Sequence, residues 1–309
     1  MTESSKQEMI QTIVKREQLR PLGRLSRLLK DPVRATPFYA LALLGHIKPF
    51  PVSFRTLWDT TMRCYLPEGN TFYYYGFCEA NLTNFFLRFA REGMTFIDVG
   101  AHIGFYTALF SELAGSEGKV HGFEPTPWTY RLLSENTAGL SNVTLNNNAV
   151  SEKAESLSFS DYGAGYGAFN SAHPDGAPEM SRRPSMTTVT GISLDAYCAD
   201  RGVRPDIVKI DAEGFEASVL RGMGKMLAAG AGPRPIITLE VAGDRAWAEN
   251  RAEAFATLSA AGYVAHEISV DGFLSEHATR ESYTYDNLVF VPRERLTEIS
   301  PFLHSLKNR

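Results

Sequence analysis

Thr95-Phe-Ile-Asp-Val-Gly-Ala-His-Ile-Gly-Phe-Tyr-Thr107 is the stretch whose reading decides the fold. Phe96, Ile97 and Val99 form a short apolar run, the pattern of a strand covered on both faces. Gly100 and Gly104 follow, where a backbone without Cβ turns tightly and lets a ligand come close. From Gly104 the residues Phe-Tyr-Thr-Ala-Leu-Phe-Ser-Glu-Leu-Ala place apolar side chains near helical spacing. Strand, glycine turn and helix together open the nucleotide-binding half of an α/β sheet.

The glycine spacing narrows the ligand. The dinucleotide fingerprint is G-x-G-x-x-G, whereas here the loop is Gly100-x-x-x-Gly104. Asp98, two residues before the first glycine, would repel a pyrophosphate at the helix N-terminus. It suits a cofactor carrying an ammonium and a sulfonium. The bland alternative is a tight strand–helix turn of any α/β protein. The second strand, Lys119 to Glu124, ends at an acid before Pro125. An acid there, on the order of 20 residues past the loop, is placed to bond two ribose hydroxyls. Taken alone, such an acid is more often a solvated strand-end residue.

Outward from this pair, the pattern stays α/β from about residue 71. Trp128 to Leu140 reads as a helix and Val143 to Leu145 as a third strand with an Asn146–Val150 tail. Ser156 to Ser160 reads as a half-exposed antiparallel strand. Ile207–Ile210, Ile236–Val241, Tyr263–Glu267 and Asn287–Val291 read as further strands, with a helix over Ala246–Ala261. Strands alternating with helices imply a mostly parallel sheet. Residues 161–186, glycine- and aromatic-rich at first, are too long for a routine connection and are expected to be a lid or an inert loop. Residues 1–70 differ from the rest: Ile10 to Leu29 reads as a basic amphipathic helix interrupted near Pro21. It is expected to form a helical cap or a homodimer contact, with a membrane-surface role as the alternative.

A second group of acids lies in Asp206-Ile-Val-Lys-Ile-Asp-Ala-Glu-Gly-Phe-Glu216. Asp211 and Glu213 fall at the carboxyl end of the fourth strand, where open α/β sheets bind ligands. Glu216 reads as a first-turn helix acid, and Lys209 as a partner for one of the carboxylates. Glu240 sits at the end of the fifth strand. Each acid alone could be a solvated or salt-bridged residue, but Asp98, Glu124, Asp211 and Glu240 recur at successive strand ends.

The remaining numbers exclude more than they assign. The 309 residues are 44% hydrophobic with a formal net charge of −4, giving no sign of a nucleic-acid partner. No apolar run of about 18 residues suggests a membrane span, and a cytoplasmic location is expected. Cys64, Cys78 and Cys198 match no zinc spacing and read as structural thiols.

In this order, Phe-Ile-Asp-Val-Gly-Ala-His-Ile-Gly-Phe-Tyr-Thr, Gly-Phe-Glu-Pro, Asn-Asn-Ala-Val-Ser, Ser-Leu-Asp-Ala-Tyr and Asp-Ile-Val-Lys-Ile-Asp-Ala-Glu-Gly-Phe-Glu resemble the FkbM family of S-adenosylmethionine-dependent methyltransferases. The likeness covers roughly residues 71–292. It implies a class I methyltransferase domain over 71–309, Rossmann-like, with a seven-stranded sheet whose last strand is antiparallel. It implies S-adenosyl-L-methionine as cofactor and a hydroxyl of a natural product or sugar as acceptor. By resemblance, Asp98, Gly100 and Gly104 hold the methionine part, Glu124 is the ribose acid, Asn148 and Ala149 flank the adenine, and Ala101, Pro125 and Asp211 also bind the cofactor. Asp211 and Glu213 match the acidic active-site motif. His102 stands where the family often has a smaller or amide residue.

The expected reaction is methyl transfer to oxygen, with Glu213, Asp211 and then His102 as candidate general bases. No metal ligand is assigned, since no dedicated ligand spacing is present. A metal-assisted variant through Asp211, Glu213 and Glu240 remains an alternative. So do a nicotinamide-dependent oxidoreductase and a binding module without turnover. Phe72-Tyr73-Tyr74-Tyr75 and Phe77 could stack a sugar face, but core packing is the commoner use of such a cluster.

Overall fold

Three helices lead the chain in the computed structural model: α1 (Glu3–Glu17), α2 (Arg24–Lys30) and α3 (Pro32–Gly45). The described residues are 1–45, 48–167, 184–230, 232–241, 248–280, 283 and 286–304. Thr2 caps α1 by accepting from Ser5 N, with Glu3 in the first turn and Lys15 and Arg16 in the last, so both helix ends are electrostatically matched. The helix stops before Pro21 and resumes as α2, which is the interruption expected inside Ile10–Leu29. Met9, Ile10 and Ile13 are buried in the same apolar cluster as Phe85, Phe86 and Phe89. Lys6 donates to Ala90 O at 2.9 Å. Leu25, Leu29, Val33 and Leu43 stay exposed on α2 and α3.

Residues 1–70, expected to be helical, also contain a hairpin, β1 (Phe50–Arg55) and β2 (Thr61–Leu66), paired antiparallel. Then come α4 (Asn70–Tyr75) and α5 (Ala80–Phe89). The aromatic segment in α4 is packing: Tyr74, Tyr75 and Phe77 are buried, and the Phe72 ring lies 5.5 Å from Phe54 and 5.3 Å from Phe105.

The central sheet is built from β3 (Thr95–Val99), β4 (Lys119–Phe123), β5 (Val143–Asn146), β9 (Ile207–Ile210), β10 (Ile236–Val241), β11 (Tyr263–Ile268), β12 (Leu274–Glu276) and β13 (Asp286–Pro292). Its order is β12-β11-β13-β10-β9-β3-β4-β5. β3, β4, β5, β9 and β10 run parallel, and β13 lies antiparallel between β10 and β11. This is the expected sheet with its last strand antiparallel. The difference is an eighth strand, β12, which folds back on β11 and extends that edge. All of β9 and β10 is buried, as a strand covered on both faces requires.

Asn146 ends β5, but the rest of the Asn146–Val150 tail leaves that strand. Instead β6 (Ala149–Val150), β7 (Glu155–Asp161) and β8 (Ser185–Ile192) form a separate three-stranded sheet. The expected lid over 161–186 is therefore bounded by the paired ends of β7 and β8, with Asp161 opposite Ser185; residues 168–183 lie outside the described residues. The helices α6 (Phe105–Ala114), α7 (Pro127–Thr137), α8 (Leu194–Arg201), α9 (Glu216–Arg221), α10 (Gly224–Leu227) and α11 (Ala248–Ala260) complete the frame. The first residues of the expected Ala246–Ala261 helix also fall outside the described residues. Among the described residues no helix is long and apolar enough to cross a membrane. The three cysteines are free thiols.

Candidate active site

Four carboxylates stand at the carboxyl ends of adjacent strands: Asp98 on β3, Glu124 just past β4, Asp211 just past β9 and Glu240 on β10. Because these strands are parallel neighbours, one rim of the sheet gathers acids that lie far apart in sequence. Apart from Asp211, which is half-buried, they are largely withdrawn from solvent.

The Asp98 carboxylate is fully buried, and its positive partner comes from the chain itself. Lys209 Nζ lies 3.6 Å from Asp98 Oδ1 and 3.0 Å from Asp211 Oδ2, and Thr107 donates to Asp98 Oδ2 at 2.6 Å. Asp98 is thus tied first to Lys209 and Thr107 of the chain itself. At 3.6 Å the Lys209 contact is an ion pair without hydrogen-bond geometry, and Asp98 Oδ1 has no hydrogen-bond partner among the described residues. Burial pushes the Asp98 carboxyl up, against Lys209 and Thr107.

Gly100 makes the tight turn and the close approach that the sequence suggests, and the neighbour the structure shows is backbone. Its φ is +74°, and a Cβ there would sit 1.8 Å from the Asp211 carbonyl oxygen. The close neighbour is the end of β9, which bonds across through Asp211 N to Val99 O at 3.2 Å. Gly104 has φ +90° at the start of α6, with Leu133 2.7 Å from a would-be Cβ. The Gly100 and Ala101 amides both donate to Phe123 O, so Ala101, itself buried, ties the loop to β4. A Gly100→Ala variant is expected to lose roughly 2–3 kcal/mol, from left-handed strain and overlap at Asp211. A denaturant midpoint equal to that of the parent would contradict this.

Glu124 is buried and already a triple acceptor, taking His102 N and Thr126 N at 3.1 Å and Thr126 Oγ1 at 2.6 Å. A carboxylate offers about four lone-pair directions, so acceptor capacity remains for a ribose hydroxyl. Burial raises its pKa while Thr126 and His102 oppose that shift. Pro125 is half-buried, and its carbonyl and that of Glu124 accept from Asn147 Nδ2. Asn148 sends its amide to Thr190 O on β8 at 3.2 Å, and Ala149 pairs with Gly191. Asn147 thus fixes the turn after β4, a role the sequence did not single out.

His102, at φ +50°, is held by a residue the sequence did not single out. Its Nε2 lies 2.8 Å from Glu68 Oε1, in the turn after β2. Burial pushes the imidazole down, but Glu68, then Glu124 and Asp211, leave it above its ordinary value. Thr129 Oγ1 and His102 Nε2 would lie 3.0 and 3.2 Å from a Cβ on Gly167. The segment leading out of β7 therefore passes directly over the loop. Asn136 joins the same wall, bonding Arg63 on β2 and the Ile103 carbonyl.

Asp211, Glu213 and Glu240 converge: one carboxylate oxygen from each lies within 4.8 Å of the others. Burial alone would raise Asp211, but Lys209 beside it, with a hydrogen bond from Glu240, holds it below its ordinary value. Glu213, at φ +48°, is pushed up to about 9 by burial and by the charges of Asp211 and Glu216. Glu240 is pushed well up by burial, Asp211 and Glu213. Glu216 is structural, accepting from Ala212 N and Gly214 N at the start of α9.

The sign for stability follows from Glu213. Its ordinary value is 4.5 and its folded value about 9, so between those pH values the folded chain binds more protons than the unfolded one. Stability therefore falls as pH rises through this window, by at most about 1.4 kcal/mol per pH unit for the group. A melting temperature that climbs steadily from pH 5 to 9 in the ligand-free protein would contradict the assignment.

The methyltransferase FkbM domain profile matches residues 98–265. The chain belongs to the FkbM methyltransferase family. The match begins at Asp98 and takes in Glu124, Asp211, Glu213 and Glu240, so the FkbM domain holds every acid of this rim. The FkbM family takes S-adenosylmethionine as methyl donor, and the acids here fit a cationic cofactor: Asp211, Glu213 and Glu240 converge, and Lys209 pairs with Asp98 and Asp211. The chain is similar to hexuronic acid methyltransferase AglP of Haloferax volcanii, 29% identical over 151 residues, covering 48% of this chain and 58% of AglP. It is also similar to a protein-L-isoaspartate O-methyltransferase of Methanococcoides burtonii, 43% identical over 56 residues, 18% of this chain and 28% of that protein. Both alignments span less than two thirds of the relatives' lengths. Among solved structures it is similar to Aeropyrum pernix fibrillarin with natively bound S-adenosyl-L-methionine, at TM-score 0.40 and 14% identity over 69% of this chain and 77% of that one. A SAM-dependent O-methyltransferase from Thermotoga maritima gives TM-score 0.37 and 12% identity over 69% and 64%. FkbM membership favours methyl transfer over the nicotinamide alternative.

Proposed function

We propose that this chain transfers the methyl group of S-adenosylmethionine to a hydroxyl oxygen of a small molecule, with a sugar or other hydroxylated natural product as acceptor. The observation that carries the reading is the Asp211–Glu213–Glu240 cluster beside the glycine loop, which puts proton acceptors next to the cofactor rim. The hexuronic acid activity named for AglP supports the sugar class.

When bound, S-adenosylmethionine supplies an electrophilic methyl on a sulfonium that departs as a neutral thioether. The chain must align acceptor oxygen, methyl carbon and sulfur, an effect worth up to about 7–11 kcal/mol. Glu124 would hold a ribose hydroxyl through its remaining acceptor capacity. Asp211, kept ionised by Lys209, takes the acceptor hydroxyl proton. Glu213 joins it once positive charge in the cluster releases its own proton.

The experiment is incubation with methyl-labelled S-adenosylmethionine and a panel of sugars that includes hexuronic acids. A labelled methyl ether located by NMR supports the reading. Label found only as a carboxyl ester, or on nitrogen or carbon, refutes it.

The crowding of three carboxylates favours a second reading, in which Asp211, Glu213 and Glu240 hold a divalent cation through oxygen ligands and the cation acidifies the hydroxyl. Exhaustive EDTA treatment separates the two: activity lost and restored by Mg²⁺ selects the metal-assisted version, and activity retained selects the carboxylate base.

A further inference from the structure

A second cleft opens at the opposite end of the sheet, among the amino-terminal ends of β4 and β5, the turn before β4 and the end of α8. It has a volume of about 370 Å³. His121, on β4, is three residues before Glu124, roughly 10 Å along a strand, so this cleft and the acid rim are separate places. Its lining differs in sign from that rim: Lys119 and Arg201 bring two cations, and Ser116, Ser141 and Thr144 bring hydroxyls, against one acid, Glu117.

The deciding residue is His121, which lines the cleft and is only 6% exposed. Its Nδ1 lies 2.8 Å from the Tyr197 hydroxyl, and that hydroxyl accepts from Asn146 Nδ2 at 3.2 Å. A phenol has a single proton to give, and among the described residues His121 Nδ1 is the acceptor in reach. Nδ1 therefore accepts, and the imidazole carries its own proton on Nε2. That buried Nε2–H has no partner among the described residues. An unmatched buried donor costs free energy; because almost none of Nε2 is open to solvent, an oxygen in the cleft pairs with it as the ring turns outward, and between Lys119 and Arg201 that oxygen is anionic. Lys119 and Arg201 both depress the His121 pKa, after burial, which places their charges close to the ring.

From this convergence we infer that the cleft is a binding site for the phosphoryl group of a small molecule. Lys119 supplies a point charge and Arg201 a fork of donors. The Arg201 ion pair with Asp200, at 3.0 Å, joins side chains that are 48% and 75% exposed, so it competes weakly. The free volume exceeds a lone phosphate, leaving room for the group that bears it. The inference is independent of the methyl acceptor.

The test titrates the full-length protein by calorimetry with inorganic phosphate and with glucose 1-phosphate, each against chloride at equal ionic strength, and follows the His121 ring nitrogens by NMR. Saturable binding that moves the Nε2 signal is expected, weakened about tenfold or more in Lys119→Ala/Arg201→Ala. The methyl-transfer rate of that variant should be unchanged. Binding of glucose 1-phosphate alone assigns the site to a phosphorylated molecule; equal binding of both probes assigns it to free phosphate as well. Absence of saturable binding by either probe, or undiminished binding in the double variant, overturns the proposal. If the double variant fails to fold by circular dichroism, His121→Gln gives the same comparison.

Discussion

Asp211→Asn and Glu213→Gln are each expected to cut turnover by about 10²–10⁴-fold, the usual contribution of a positioned general base. The two substitutions act differently. Asp211 is the carboxylate that Lys209 keeps ionised, so its amide removes the acceptor present at neutral pH. Glu213, pushed up to about 9, is protonated in the free protein, and glutamine imitates that state closely. Glu213→Gln should therefore fold and melt as the parent does near pH 7 while losing turnover, and it should flatten the fall of stability toward pH 9. Single-turnover rates together with melting curves read both effects. Near-parent turnover in both variants, with cofactor binding intact, would remove the cluster from the mechanism.

The second large effect concerns the floor of the site. Lys209→Met is expected to destabilise the fold by about 3–5 kcal/mol, the cost of leaving buried charge uncompensated. Lys209 is 3% exposed and faces Asp98, which is wholly buried, and Asp211. Adding Asp98→Asn to Lys209→Met removes one of the stranded charges and should restore part of the loss, a coupling that a double-mutant cycle measures. Urea unfolding showing less than about 1 kcal/mol lost on Lys209→Met would mean that the buried pair carries little of the site's architecture. The ion network also ties the loop after β3 to the end of β9: Gly100 packs on the Asp211 backbone while Asp98 and Asp211 share a lysine.

Much of this was legible locally. The β3–α6 loop announces itself through an apolar run, two glycines and helical spacing, all within a dozen residues. The strand-end acids were legible because parallel strands in this topology deliver their carboxyl ends to one rim. Other features depend on pairings between distant segments. Val52 and Phe54 alternate with polar neighbours in β1, as Met62, Cys64 and Leu66 do in β2, but Pro49 and Pro51 masked the period, although an edge strand tolerates proline. The sheet of β6, β7 and β8 depends on joining 149–150 to 191–192, which no local period records. Glu68 gave no signal: its meaning appears only when the turn after β2 meets His102. Gly100 was read correctly as a close-approach residue, but what approaches it is the Asp211 carbonyl.

The most direct test of the central claim, that the acid rim around Asp98, Glu124 and Asp211 receives S-adenosylmethionine, is calorimetric titration of that cofactor in two buffers of different ionisation enthalpy near pH 7.5. The account predicts one-to-one binding, no comparable binding of NAD, release of protons as positive charge enters the cluster that holds Glu213 protonated, and loss of that release in Glu213→Gln. Binding of S-adenosylmethionine with no proton release, or equal binding of NAD, would contradict it.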